Sequence, residues 1–393
     1  MQSPEQPGSA PARNGRTNSN GHADDLARLG KPAIRVGPSP ILVTGGAGFL
    51  GSNLVDRLAG RGEQVVVFDN LSRGRVAENL DWLRQRHPKN VAAIRADVRD
   101  ADAVENAVAG AKAVVHLAAQ VAVTTSVADP VGDFEANARG TLNVLEAVRR
   151  RAPEAPVLFA STNKVYGKLI DLDAMVRRGD RYVPADPSFP AGLDEATPLS
   201  FHSPYGCSKG VADQYVLDYA RVFGLKTVVF RMSCLYGPRQ FGTEDQGWVA
   251  HFLISALGGR PITIFGDGYQ VRDVLYVDDA VNAYLAALSD IDAVAGQVFN
   301  LGGGPGNTVS LRELLALIAA ETGIEPDVGF DAWRPGDQPW YVSDTSALTK
   351  ACGWRAEVDV REGLGRLASW LAVAFPGRAA EPRPREVARE LSA

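Results

Sequence analysis

Cysteine is scarce in this chain. Three thiols, Cys207, Cys234 and Cys352, are scattered through 393 residues, which excludes a disulfide framework and leaves no ligand spacing for zinc. No metal is expected, and an odd count suits reduced thiols in a cytoplasm. A basic excess is missing as well. Lys and Arg number 41 against 46 Asp and Glu, a formal net charge of -5, so nothing stands ready to neutralise a nucleic-acid backbone or an anionic membrane. Small molecules are the expected partners. Long apolar runs are also lacking: the longest are strand-sized, the N-terminus has no apolar signal core, and neither a bilayer span nor export is expected. What remains, 45% hydrophobic and 22% charged residues, is ordinary globular composition with room for one large domain or two.

Residues 1–38 are rich in Pro, Gly, Ser, Asn and Ala without apolar periodicity, so a disordered N-terminal arm is predicted there. From Ile41 short apolar runs alternate with amphipathic stretches. The runs Ile41–Val43, Gln64–Phe68, Val91–Ile94, Ala113–Leu117, Val157–Phe159 and Thr227–Phe230 read as buried parallel strands. Helices are predicted between and after them over 52–59, 101–109, 132–150, 204–223, 248–257 and 311–322. This alternation is the signature of an α/β fold, a Rossmann-type doubly wound parallel sheet with a smaller C-terminal substrate-binding region over its carboxyl edge. The predicted organisation is a dinucleotide-binding domain over 39–232, to which 271–302 returns. A mainly substrate-binding region covers 233–375, and a loose tail 376–393.

Thr44-Gly-Gly-Ala-Gly-Phe-Leu-Gly51 follows the first strand directly and opens a helix, the context that makes a glycine motif specific for a dinucleotide. Gly45 permits the tight turn, Gly48 lets backbone approach a pyrophosphate, and Gly51 allows helix to pack on strand. Asp69 ends the second strand about 20 residues past the glycines, where a carboxylate accepts ribose hydroxyls and repels a 2′-phosphate. NAD is therefore favoured over NADP, with Arg73 and Arg75 as the residues that would otherwise welcome that phosphate. Asp97 and Val98, just after the third strand, are placed to hold the adenine amino group.

Ser203-Pro204-Tyr205-Gly-Cys-Ser-Lys209 reads as a helix start, with Ser203 as cap and Tyr205 and Lys209 one turn apart on one face. A free phenol has a pKa of about 10, but a neighbouring ammonium and an oxidised nicotinamide favour its phenolate, making Tyr205 a base. Thr162, leaving the fifth strand at the same edge, can hydrogen-bond the same substrate hydroxyl. His116 and Cys207 read as structural and packing residues. Arg239, Arg272 and Arg334 are candidates for a diphosphate clamp, and Trp248, Phe265 or Tyr269 for stacking on a base.

These motifs occur in the order Gly-rich turn, His116–Ala119, Asn137–Thr141, Thr162, Tyr205 and Lys209, Arg272-Asp273, Val277–Asp279. In that combination, over about Ile41 to Phe375, the chain resembles the extended short-chain dehydrogenase/reductase family of nucleotide-sugar epimerases and dehydratases. The resemblance implies that Phe49, Leu50, Asn70, Ser72, Arg73, Leu117, Ala118, Ala119 and Asn137 join the glycines, Asp69, Asp97, Val98, Tyr205 and Lys209 around NAD. It further implies that Thr125, Asn163, Gln246 and Trp248 join the three arginines around the substrate. Gln120–Ser126, Ser161–Gly167, Phe201–Lys209 and Asp245–Trp248 narrow it to the CDP-tyvelose (CDP-paratose) 2-epimerases.

The implied reaction is inversion of carbon 2 of a nucleotide-diphosphate sugar through a transient 2-keto sugar, with the hydride taken up by NAD and returned. Dehydratases of the family carry Asp-Glu after the catalytic Thr. Here Asn163-Lys164 stands in that place and elimination lacks its acid. Four-epimerases usually carry small residues there, and the phosphate-contacting Asn of many relatives is Cys234. The alternatives are a 4-epimerase or a net oxidoreductase, and a sensor without chemistry is opposed by the intact Thr162, Tyr205 and Lys209. A homodimer paired through 132–150 and 204–223 is implied, in a cytoplasmic enzyme of carbohydrate biosynthesis.

Overall fold

Valine- and alanine-rich runs with no polar alternation have to be covered on both faces, and here they lie at the centre of a seven-stranded sheet. The strands are β1 (Ile41–Thr44), β2 (Val65–Asp69), β3 (Val91–Arg95), β4 (Ala113–His116), β5 (Val157–Thr162), β6 (Thr227–Met232) and β7 (Gln297–Leu301). Their spatial order is β7-β6-β5-β4-β1-β2-β3 and every pairing is parallel. The structure, a computed structural model, describes residues 39–334 and 336–375. The arm predicted over 1–38 and the tail over 376–393 lie outside the described residues.

Two apolar layers cover the sheet. One packs Leu54, Val55 and Leu58 of helix Phe49–Gly60 with Val281 and Tyr284 of helix Val277–Ser289. The other packs Val144, Leu145 and Val148 with Ala212 and Val216. A smaller lobe holds the parallel pair Ile262–Phe265 and Val328–Asp331, and a short sheet built on Val271–Tyr276. A hairpin, Met175–Arg178 with Arg181–Pro184, stands beside it. Chain order and space therefore part company after residue 270: of the stretch 271–302 expected to return, Gln297–Leu301 pairs in the large sheet, whereas Val271–Tyr276 pairs with strands of the lobe.

The helix predicted over 132–150 is Pro130–Phe134, a wide turn Glu135–Arg139, then Gly140–Arg151. Val98 lies against Gly140 so closely that a Cβ there would sit 2.8 Å from Val98 Cγ2. Under the sheet edge, Asp213 accepts hydrogen bonds from Ser161 Oγ (2.7 Å) and from Arg231 Nε (3.0 Å) and Nη2 (2.9 Å). Both charges are buried. The pair fixes helix Pro204–Phe223 against β5 and β6, which sets the place of the chemistry.

Candidate active site

The carboxyl ends of β1, β2, β4, β5 and β6 open into one cleft of about 1020 Å³ that runs on between the sheet and the smaller lobe. At its sheet end is the glycine turn. Gly45 has φ +66°, and a Cβ on it would lie 2.7 Å from the Ala118 nitrogen. A Cβ on Gly51 would lie 2.3 Å from the Gly45 oxygen. Gly48, the residue before helix Phe49–Gly60, turns bare backbone toward the cleft, as a pyrophosphate requires.

Asp69 closes this end. Its Oδ2 accepts from Ala47 N (3.1 Å) and its Oδ1 from Leu71 N (2.9 Å), so the carboxylate is locked beside the glycines. Burial pushes its pKa up, and the two backbone donors oppose the shift. Beyond it Asn70 Nδ2 donates to Asp97 Oδ2 (2.8 Å), and Arg99 grips the same carboxylate (2.8 and 2.9 Å), holding it well below the usual carboxylate range. Asn70 Oδ1 accepts from Ser72 N (3.0 Å). Arg73 crosses the cleft to Gln246 Oε1 (2.9 Å). Val98, Leu117, Ala118, Ala119, Phe49 and Leu50 complete the walls. These residues fit NAD: a cradle that no side chain fills, and a fixed carboxylate where a ribose would lie.

The reacting corner is built by β5 and helix Pro204–Phe223. Ser203 Oγ caps the helix by accepting from Gly206 N (3.0 Å), and Tyr205 N donates to Ser126 Oγ (3.1 Å). The Tyr205 phenol faces Thr162 and Arg73, which both favour its phenolate. Burial outweighs both and pushes it up to about 12. One turn on, Lys209 Nζ donates to Ala160 O (2.5 Å) and lies 4.2 Å from the Phe159 ring centroid. Burial brings the ammonium down to about 7, opposed by Asp213 and Asp133. The corner is a neutral phenol beside a cation that gives up its proton easily.

Toward the smaller lobe, Arg272 Nη2 donates to Asp337 Oδ1 (2.6 Å), and Arg334 Nη2 donates to Glu244 Oε1 (2.8 Å) while stacking 3.7 Å from the Phe265 centroid. Thr125, Asn163, Gln246 and Trp248 also line the cleft.

Three of the predicted candidates are not at the cleft. Asn137 is buried behind its wall, where Nδ2 donates to Asp133 Oδ1 (3.1 Å) and Ser208 Oγ (3.0 Å) and Oδ1 accepts from Gln120 N (2.9 Å). Its polar atoms are spent on holding the loop after β4. Arg239, at φ +69°, turns its guanidinium onto the Trp82 ring, 3.7 Å from the centroid, and does not line the cleft. Tyr269 lies between Arg177 (4.3 Å) and Arg312 (4.4 Å), away from the cleft. His116 is structural as expected, bonded to Thr44 and Thr141, but Cys207 is exposed rather than packed. Reading the sequence missed Asp133, which accepts from Ser208 Oγ (2.5 Å), and Asp337, which meets Arg272. Neither carries a local signal, since each is joined to its partner only by the fold. Lys164 stands out in the sequence only for what it replaces; the structure puts it inside the cleft.

A family model described as the NAD dependent epimerase/dehydratase family matches residues 41–302. Among curated proteins, the chain is 43% identical over 337 residues to CDP-paratose 2-epimerase of Salmonella typhi, covering 84% of this chain and 98% of that one. It is 35% identical over 327 residues to UDP-glucose 4-epimerase of Mycolicibacterium smegmatis, covering 83% and 96%. Among solved structures, the UDP-glucose 4-epimerase of Thermus thermophilus in complex with NAD superimposes with a TM-score of 0.71 at 35% identity, over 85% of this chain and 99% of that one.

Proposed function

The chain belongs to the NAD dependent epimerase/dehydratase family, and from that premise we propose that it inverts carbon 2 of a nucleotide-diphosphate sugar with NAD as its cofactor. Two observations carry the choice of reaction. The greatest likeness reported above, 43% over nearly the whole of the relative, is to a 2-epimerase, and Asn163 and Lys164 follow the catalytic Thr162 where elimination would want an acid.

Tyr205, as phenolate, takes the carbon-2 hydroxyl proton and later returns it. Thr162, beside the phenol, orients that hydroxyl. Lys209 supplies the positive charge that makes the phenolate attainable, and Asp69 holds the ribose that fixes the cofactor over the site. The glycine turn and Asp69 would hold NAD, which would supply a reversible acceptor for the carbon-2 hydride and keep the cycle redox-neutral. Between those events the planar 2-keto sugar turns to present its other face. The diphosphate has to stay anchored while it does, and Arg272 and Arg334 are the forks available for that.

The same reading includes a homodimer. Helix Pro204–Phe223 and the 130–151 segment leave Val131, Phe134, Tyr215, Val222 and Phe223 exposed, an apolar surface that a second copy would cover. Among the described residues no helix is long and apolar enough to cross a membrane, and the reading includes a cytoplasmic place in carbohydrate biosynthesis.

The test is direct. Purified protein is incubated with gluco- and manno-configured CDP-, ADP-, GDP- and UDP-sugars deuterated at carbon 2, without added NAD, and the products are read by NMR. Inversion at carbon 2 with the deuterium retained in ordinary water is the expected result. Inversion at carbon 4 alone, or deuterium lost to solvent, overturns the reading.

A further inference from the structure

Of the cations in the cleft, Lys164 has the weakest set of contacts. Arg272 and Arg334 each have a carboxylate within 2.8 Å. Lys164 Nζ finds Gln338 Oε1 at 3.4 Å, Gly336 O at 3.5 Å and Asp337 Oδ1 at 3.8 Å, and nothing nearer among the described residues. An ammonium has three donors, and when it is withdrawn from water each wants an acceptor near 2.9 Å. Burial accordingly drives its pKa down, with Asp337 and Cys234 opposing and Arg272 adding to the shift. Lys164 and Arg272 also share one carboxylate, Asp337. Arg272 takes that carboxylate at 2.6 Å and leaves Lys164 the longer contact, so the ammonium is the less satisfied of the two cations.

Its place is set by the catalytic strand. β5 ends at Thr162, and Lys164 N donates to Thr162 Oγ1 at 3.2 Å, so this ammonium is carried by the turn that positions the Thr162 hydroxyl. The covalent structure of the substrate gives that proximity a meaning. Carbon 2 is one bond from the anomeric carbon that bears the diphosphate, and carbon 4 is three bonds away. A sugar that presents carbon 2 to Tyr205 and Thr162 therefore brings its own phosphate up to the catalytic pair, and one that presents carbon 4 keeps it at the far side of the ring. Only the first arrangement needs a cation on the catalytic turn.

Resting on the carbon-2 reading, we infer that Lys164 is a specificity-determining residue that binds the sugar-proximal phosphate beside Thr162 and so selects carbon 2 for reaction. Arg272 and Arg334 hold the diphosphate from the lobe side. Lys164 holds it from the sheet side, and its long contacts shorten onto phosphate oxygens.

The experiment compares wild type with Lys164→Met, which keeps the volume and removes the charge, and Lys164→Arg, which keeps the charge. On NAD-loaded protein, binding of ADP, CDP, GDP and UDP and of the matching monophosphates is measured by calorimetry. For the diphosphate that wild type binds best, Lys164→Met is expected to bind about 10- to 100-fold more weakly, the loss of one charged hydrogen bond. The monophosphate, which lacks the sugar-proximal phosphate, is expected to change less than about twofold. Lys164→Arg is expected to restore most of the diphosphate affinity, and bound NAD to be equal in all three. In turnover, Lys164→Met is expected to lose carbon-2 inversion by at least the same factor. Equal diphosphate affinity in Lys164→Met overturns the inference while leaving the carbon-2 reading in place if wild type still inverts that carbon. Parallel losses for mono- and diphosphate also overturn it, because they show a general effect on the cleft. A wild type that binds none of the diphosphates overturns it together with the reading on which it rests.

Discussion

Replacing Tyr205 by Phe removes one oxygen from the cleft and, on the structure's own electrostatics, the base. The buried phenol is pushed up to about 12 and the Lys209 ammonium down to about 7. Between those values the pair carries a single proton that rests on the tyrosine by a factor of about 10⁵, so forming phenolate and ammonium together costs roughly 7 kcal/mol. That ratio does not change with pH inside the window, because both arrangements hold the same number of protons. Below about 7 the pair takes up a second proton and the reactive form falls tenfold per pH unit. Wild-type kcat/KM for inversion is therefore expected to climb to about pH 7 and then level. In Lys209→Met the phenolate forms only by losing its proton to solvent, and the rate should go on rising through pH 9. Tyr205→Phe should be flat and at least about 10²-fold slower, the usual worth of a positioned base, with nucleotide-sugar affinity nearly intact. The assay is the NMR rate of carbon-2 inversion from pH 5.5 to 9.5 for the three proteins. A Tyr205→Phe enzyme within tenfold of wild type, or a Lys209→Met enzyme with the wild-type plateau, refutes the assignment.

The middle of the sheet was legible because its strands are buried and say so residue by residue: Leu42, Val43, Val65, Val67, Val114 and Val115 leave no polar alternation to confuse the reading, whereas the edge strand Gln297–Leu301, half exposed at its start, was not read as one. Helix Pro204–Phe223 was legible to the residue because both ends are punctuated, by Ser203 and Pro204 at one and by Gly224 in the left-handed region at the other. The helix Val360–Ala374 carried a comparable signal, Asp359 as cap and Leu364, Leu367 and Leu371 on one face, and was not read from the sequence. What composition and spacing do not carry is the direction of a long side chain. Arg239 and Arg272 look alike in sequence, yet one stacks on Trp82 and the other meets Asp337, and the difference lies in a left-handed backbone angle and a partner 65 residues on. Lys164 was visible as a departure from the dehydratase pattern. Its poor contacts are a property of the folded cleft alone.

Asp69→Arg is expected to loosen NAD and admit NADP, since it exchanges a hydroxyl acceptor for a phosphate partner; nucleotide released on denaturation, assayed by chromatography, decides it. Gly51→Ala puts a Cβ 2.3 Å from the Gly45 oxygen, so the cradle must spread, and the purified variant is expected to retain less than about a tenth of the wild-type NAD and to lose roughly 1–3 kcal/mol of stability. Arg231→Met leaves the Asp213 carboxylate buried without its partner and should cost about 3–5 kcal/mol in urea unfolding. The last expectation is a pH dependence carried by His116. Burial, with Lys209 adding to it, holds this ring neutral down to about 3 in the fold against 6.5 when exposed. The unfolded chain therefore takes up a proton first as pH falls, and stability is lost from pH 6.5 downward, by about 2 kcal/mol at pH 5. Carboxylates titrate in the same range, so the measurement is a difference: His116→Gln, which keeps polar atoms for Thr44 and Thr141, should lose about 2 kcal/mol less than wild type between pH 7.5 and 5. Equal losses in the two proteins would mean that His116 gains its proton without unfolding the site, and that the ring is not sealed between Thr44 and Thr141 as the structure has it.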